Sequence, residues 1–228
     1  MKENEAMEFA VKYPFHVKDP MSALTHFWGL IASVIATFPL LIRAALHGRG
    51  LMDMLSLTAF MGGLILLYGA STAYHTFQLS PCGVRRLKKL DHAMIYLLIA
   101  GSYAPVCRLG IGGHVGSVLL AAVAILAVIG CALTLLWVDC PKWLSAVIYI
   151  ALGWACIFAL PEIVHSLAGM PLFLLALGGV VYTVGGVIYA LKLPLPWVRP
   201  GFGNHEIFHL FVLGGSLCHY LMVFLFLA

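Results

Sequence analysis

Residues 170–191 read MPLFLLALGGVVYTVGGVIYAL, 22 positions without an acid, a base, an amide or a histidine. As an α-helix rising 1.5 Å per residue, this segment is roughly 33 Å long, enough to cross the roughly 30 Å hydrocarbon core of a bilayer. A strand is a poor alternative, because the run is continuously apolar and has no period-two alternation. Backbone in lipid must also satisfy its own N–H and C=O groups, which a helix does within one segment.

Working outward, comparable runs recur at 22–42, 53–78, 91–109, 115–138, 143–160 and 204–227. The sequence therefore predicts an all-α membrane protein, a seven-transmembrane helix bundle. Composition agrees: 62% of the 228 residues are hydrophobic, 10% are charged, and the mean hydropathy is +1.01. A soluble domain carries about 25% charged residues to wet its surface, so lipid must cover much of this one. Residues 1–20 hold Lys2, Glu3, Glu5, Glu8, Lys12, Lys18 and Asp19 with no apolar core of signal-peptide length. They read as a short cytoplasmic tail ahead of a transmembrane domain at 21–228. The connections are short, the longest being Leu79 to Leu90, Pro161 to Gly169 and Leu193 to Gly203, and leave no room for a second domain.

Seven spans place the termini on opposite sides. One side collects Lys2, Lys12, Lys18, Arg85, Arg86, Lys88, Lys89, Lys142, Lys192 and Arg199; the other holds Arg43, Arg49 and Arg108. Cytoplasmic loops carry the Lys/Arg excess, which predicts an inside N-terminus and an outside C-terminus. The net charge of +4 is small and no basic run is interleaved with exposed aromatics, so membrane lipids rather than nucleic acid are the expected partners. The cysteines (Cys82, Cys107, Cys131, Cys140, Cys156, Cys218) form no CxxC pair and read as small buried hydrophobes.

Ionisable residues inside spans are costly and mark candidate sites. His26, His75, His92, His205, His209 and His219 lie in or at the edges of spans, whereas His16, His47, His114 and His165 fall in a tail or connections. Asn204-His205-Glu206-Ile207-Phe208-His209 puts two imidazoles four apart, on one helix face, where they can share a metal ion. Ser71 and His75 share a face by the same spacing, and Asp91 opens the third span. With the predicted orientation, His75, Asp91, His205 and His209 all reach the same membrane depth near the cytoplasmic side. Three imidazoles and a water make an open zinc site, with Asp91 placed to act on the water and Ser71 to hold a ligand or an oxyanion. The alternative is a buried polar network in which Ser, Asp and backbone carbonyls satisfy the histidines. His26 is compatible with the cavity or with packing. His92 points about 100° away from Asp91 round the helix, and His219 lies roughly 15 Å deeper, as a bundle hydrogen bonder. Glu206 faces away from the two histidines.

The set S-x-x-x-H (Ser71, His75), L-D-H-A-x-I-Y-L-L-I-A-G-S-Y from Leu90, and N-H-x-x-x-H-x-F-V-L-G-G-S-x-C-H from Asn204 resembles the bacterial hemolysin III family. That family belongs to the progestin and adipoQ receptor group and is more distantly similar to the alkaline ceramidases. The resemblance covers nearly the whole chain from about Ser22 and implies a multi-pass protein of the bacterial inner (cell) membrane. By motif position it implies zinc (Zn2+) held by His75, His205 and His209, with Asp91 holding a water at the metal and Ser71 beside it. It also implies a role in membrane lipid homeostasis, with zinc-dependent hydrolysis of a lipid amide or ester as the chemistry. Two other readings stand beside that one, a non-enzymatic membrane sensor with structural zinc and a pore-forming cytolysin. His205-Glu206-x-x-His209 also spells a zinc-protease motif, but His219 is not at the spacing a further ligand requires.

Overall fold

Each of the seven apolar runs forms a helix in the computed structural model, which describes residues 17–194, 198, 199 and 201–228. In chain order these are α1 (Pro20–Leu46), α2 (Leu51–Thr76), α3 (Pro81–Ile111), α4 (Gly113–Leu136), α5 (Lys142–Ser166), α6 (Met170–Leu191) and α7 (Asn204–Leu227). Among the described residues the only extended pairing is an isolated bridge between Arg199 and Phe202. The tail predicted at 1–20 lies outside the described residues as far as 16, taking His16 with it. Lys18 and Asp19 pack on the end of α2, and α1 begins at Pro20.

Local chemistry sets the helix starts. Asp19-Pro20 and Ser80-Pro81 each place a proline at the first helical position, where the missing N–H removes one of the donors a helix end leaves unpaired. Ser80 Oγ accepts from the Gly83 amide at 3.4 Å. This corrects the sequence expectation for α3, which begins ten residues before Asp91. Arg85, Arg86, Lys88 and Lys89 are helical rather than part of a loop, because good helix formers carry the α3 backbone past the apolar segment. The span at 143–160 is likewise extended to Ser166, and it passes through a 3-10 stretch at Trp154–Ala159 before Pro161 restarts the α-helix. His165 is therefore helical, as is His114 near the start of α4.

α2 packs most extensively on α3, and α6 on α7, with α1 lying against both α2 and α7. The α2–α3 contact depends on glycine. A methyl group on Gly63 would stand 3.1 Å from the Leu98 Cα, and one on Gly101 only 2.7 Å from the Ala59 carbonyl oxygen. The close approach fixes the register that sets the end of α2 beside the Asp91 turn of α3. On the outer surface Phe158 is 88% and Leu136 80% exposed, the apolar face a bilayer covers. Of the cysteines Cys107 is buried, four are half-buried and Cys82 is exposed, so the reading of all six as buried hydrophobes holds fully only for Cys107.

Polar contacts tie the bundle together at both ends. At the histidine end Lys18 N–H donates to Thr76 O (3.2 Å), Lys88 Nζ to Asp139 Oδ1 (2.8 Å) and Asn204 Nδ2 to Leu193 O (3.0 Å). At the far end Arg108 Nε donates to Asp53 Oδ1 at 2.8 Å, and His47 Nδ1 lies 2.9 Å from Ala228 O.

Candidate metal centre

His75 sits on the last turn of α2, and His205 and His209 on the first turns of α7, so two distant stretches bring three imidazoles together. Their donor atoms all lie within 4.8 Å of one another; His75 and His209 are buried and His205 is half-buried. His75 Nε2 and His205 Nε2 are 3.1 Å apart. Two nitrogens on a tetrahedral metal with bonds of about 2.0–2.1 Å stand roughly 3.3 Å apart, so this spacing suits a shared ion.

The surroundings direct the ring nitrogens inward. His75 Nδ1 lies 2.9 Å from Asp19 Oδ2; a carboxylate has no proton to give, so the imidazole donates and Nε2 keeps its lone pair. His209 Nδ1 lies 3.3 Å from Ser22 O and 3.2 Å from Thr25 Oγ1, and the carbonyl can only accept, which again leaves Nε2 unprotonated. His205 Nδ1 is buried with no hydrogen-bond partner. Nε2 of His75 and of His209 are left as acceptors, and among the described residues no group outside the triad holds a proton on His205 Nδ1 or Nε2. The three rings can therefore present lone pairs to one ion, and the donor set fits a metal.

Asp91 and Ser71 line the same cavity as the triad. Asp91 stands outside the tight three-histidine group. Ser71 Oγ lies beside the Asp91 carboxylate without a well-formed hydrogen bond and is buried with no partner. Glu206 accepts from Ser22 Oγ at 2.5 Å and from the Gly203 amide at 2.8 Å, so both its oxygens are engaged in holding the start of α7. That leaves it unavailable as the general base of a zinc protease. His92 Nδ1 donates to Lys88 O at 2.9 Å, and His219 Nε2 lies 3.3 Å from Leu175 O, the bundle contact expected of it.

Sequence reasoning left one residue open and missed three. His26, which it did not assign, is buried and stacked on His209 with ring centroids 3.6 Å apart and planes 5° from parallel. The lone pairs of parallel rings do not converge, so His26 backs His209 rather than sharing its ion. Asp19, Ser22 and Thr25 are the residues missed; the Asp19-Pro20 helix start at the same depth as His75 was the available signal.

The cavity reaching the triad has a volume of about 610 Å³, within the range of small-molecule sites. Leu98, Ile99, Val106, Ile150 and Leu175 give it apolar walls, and Tyr182 and His219 line its deeper part. Lys88 and Lys142 stand at the histidine end. Beside it, the Lys88 ammonium hydrogen-bonded to Asp139 holds that carboxyl below the usual carboxylate range.

Comparison with known proteins places nearly the whole chain in one family. A family model described as Haemolysin-III related matches residues 15–220. Hemolysin-3 of Bacillus cereus is 36% identical over 195 residues, covering 86% of this chain and 85% of that protein. The Hemolysin-3 homolog of Bacillus subtilis (strain 168) is 35% identical, covering 92% and 94%. The Adiponectin receptor protein of Drosophila melanogaster is 28% identical over 86% of this chain but only 48% of its own length.

Proposed function

This chain belongs to the Haemolysin-III related family, and on that premise we propose that it is a zinc-dependent hydrolase of a lipid amide or ester, serving membrane lipid homeostasis. The proposal places it in a bacterial inner membrane, with the N-terminus and the histidine end on the cytoplasmic side. The observation that carries it is the convergence of His75, His205 and His209 at one end of an apolar-walled cavity of about 610 Å³ that Asp91 and Ser71 also line.

His75, His205 and His209 would hold the metal. Bound there, zinc supplies a Lewis acid that polarises a carbonyl and makes water acidic at neutral pH. The apolar walls of the cavity hold the lipid chains and keep bulk water from the reacting bond. The Asp91 carboxylate takes a proton from the attacking water and returns it to the departing amine or alkoxide, so the proton balance closes on one residue. The Ser71 hydroxyl, free of other partners, donates to the carbonyl oxygen as negative charge gathers on it.

Asp91→Asn tests the assignment. It keeps the shape of the side chain and the three ligands, so metal content stays at the wild-type level. Hydrolysis of a panel of lipid amides and esters falls by about 10²–10⁴-fold, the usual worth of a general base. Undiminished turnover in Asp91→Asn overturns its role, and no turnover of any lipid by zinc-loaded wild type overturns the hydrolase reading.

The names of the two Bacillus relatives favour a second reading, cytolysis. It requires dye release from liposomes that survives replacement of the triad histidines.

A further inference from the structure

Residues 17–19 lie across the end of α2. Lys18 N–H donates to Thr76 O at 3.2 Å and Asp19 N–H to His75 O at 2.9 Å, while Lys18 Nζ sits 3.3 Å from the centroid of the Tyr74 ring. Asp19 then meets His75 a second time, Oδ2 accepting from Nδ1 at 2.9 Å. Its side chain makes no hydrogen bond to the start of α1. The Asp19 carboxylate is therefore committed to His75 and to Lys18 Nζ, 3.4 Å away.

The three triad histidines are not anchored alike. His205 Nδ1 has no partner, and His209 Nδ1 has only neutral acceptors at 3.2 and 3.3 Å. His75 alone leans on a carboxylate. A carboxylate behind a metal-binding imidazole fixes its tautomer and ring plane and makes the opposite nitrogen a stronger donor. We propose that Asp19 is a positioning residue of the metal centre, and that through it the segment leading into α1 sets how tightly the triad holds its metal. The inference rests on the metal-centre reading. It adds a coupling that works in both directions: seating Asp19 strengthens metal binding, and metal binding seats Asp19 and the strap that carries it.

Zn2+ affinity of the full chain in detergent, measured by competition with a chromophoric chelator, tests the proposal on wild type, Asp19→Ala, Asp19→Asn and His75→Ala. Asp19→Ala binds about 10–100-fold more weakly, beyond any change in metal-free thermal melting that follows from leaving His75 Nδ1 unpaired. Asp19→Asn recovers most of the loss, because the amide oxygen still accepts the Nδ1 proton. With Co2+ in place of zinc, the absorption bands shift in Asp19→Ala and return in Asp19→Asn. In hydrogen exchange, metal slows the Lys18 and Asp19 amides of wild type by about 10-fold and leaves those of Asp19→Ala unslowed.

Equal affinity in wild type and Asp19→Ala, beside a His75→Ala that has lost its metal, overturns the positioning role and leaves the metal centre intact. A lowered metal-free melting temperature in Asp19→Ala with unchanged affinity does the same, because it makes the strap purely structural. If Asp19→Ala fails to fold, Asp19→Ser, whose shorter side chain can cap α1 but falls short of His75 Nδ1, takes its place, and an affinity and Co2+ spectrum equal to wild type overturn the role. Failure of wild type to bind any metal overturns the metal-centre reading itself.

Discussion

The two ends of the bundle are built from similar residues and put them to different use. At the far end Arg108 and Asp53 form an ion pair at the surface, with the arginine side chain 53% exposed, and His47 meets the chain-terminal carbonyl. Each of these groups has a partner and access to water. At the histidine end the polar groups are drawn inward: His75, His209, Asp91, Ser71 and Ser22 are buried. Among these groups and their neighbours, the Ser71 and Thr72 hydroxyls and His205 Nδ1 lack partners. A buried polar group left unpaired costs about 1–3 kcal/mol; at the far end the unpartnered atoms are Arg43 Nε and Arg49 Nε, each on a half-buried side chain, so the contrast lies in the hydroxyls and imidazole nitrogens left unpaired at the histidine end. The difference marks where something other than protein is to be bound.

The largest effect that can break this contrast is at the triad. His75→Ala and His209→Ala each take bound metal from about one ion per chain to near zero, read by plasma mass spectrometry. A metal present at about a hundred times its dissociation constant stabilises the folded chain by roughly 2.7 kcal/mol. At about 2–4 °C per kcal/mol for a chain of this size, chelation lowers the wild-type melting temperature by roughly 5–10 °C and leaves the two variants where they are. A wild type that melts alike with and without chelator removes the distinction between the ends.

A smaller effect sharpens it. Ser71→Ala deletes a buried hydroxyl that has no partner, so its melting temperature holds or rises, by up to about 1 kcal/mol of stability. Turnover of the lipid substrate falls by about 10²–10³-fold, since a donor to the developing oxyanion is gone. Stability and activity moving in opposite directions is the signature expected of the histidine end. A drop in both would give Ser71 a structural task instead.

How much of this was legible in sequence depended on whether the signal was local. His205 and His209 show themselves by their spacing on one helix, Ser71 and His75 by theirs, and both pairs stand out against apolar surroundings. Asp19, Ser22 and Thr25 do not, because polar residues at a helix start look like ordinary capping, and only the packing of α1 against α2 and α7 turns them toward the histidines. His26 was visible as an odd residue, but its stacking on His209 is purely tertiary. The early start of α3 was hidden for a different reason. Apolarity was the marker for a span, and it ends near Leu90, whereas helical hydrogen bonding continues back to Pro81 through residues that Asp139 and the end of α4 satisfy. Lys89 Nζ reaches the Leu135 carbonyl, and Arg85 Nη2 lies 3.1 Å from Asp139. The 3-10 stretch at Trp154–Ala159 has no counterpart in hydropathy at all.

The smallest effect belongs to the far end and serves as its control. Arg108 and Asp53 meet at 2.8 Å, but with the arginine half in solvent the pair is screened and its geometry costs side-chain entropy. Arg108→Ala therefore changes stability by less than about 0.5 kcal/mol, an effect that shrinks further as salt is raised. Removing it leaves no buried carboxylate stranded, because Asp53 lies in the first turn of α2, where the helix dipole and water both accept an anion. Zinc affinity stays within about twofold of wild type, since independent distant sites couple weakly. A larger shift in affinity would mean that α2 and α3 transmit changes along their glycine-locked contact from Asp53 to His75. The two ends would then be one cooperative unit, and the unpaired groups at the histidine end could no longer be explained by local binding alone.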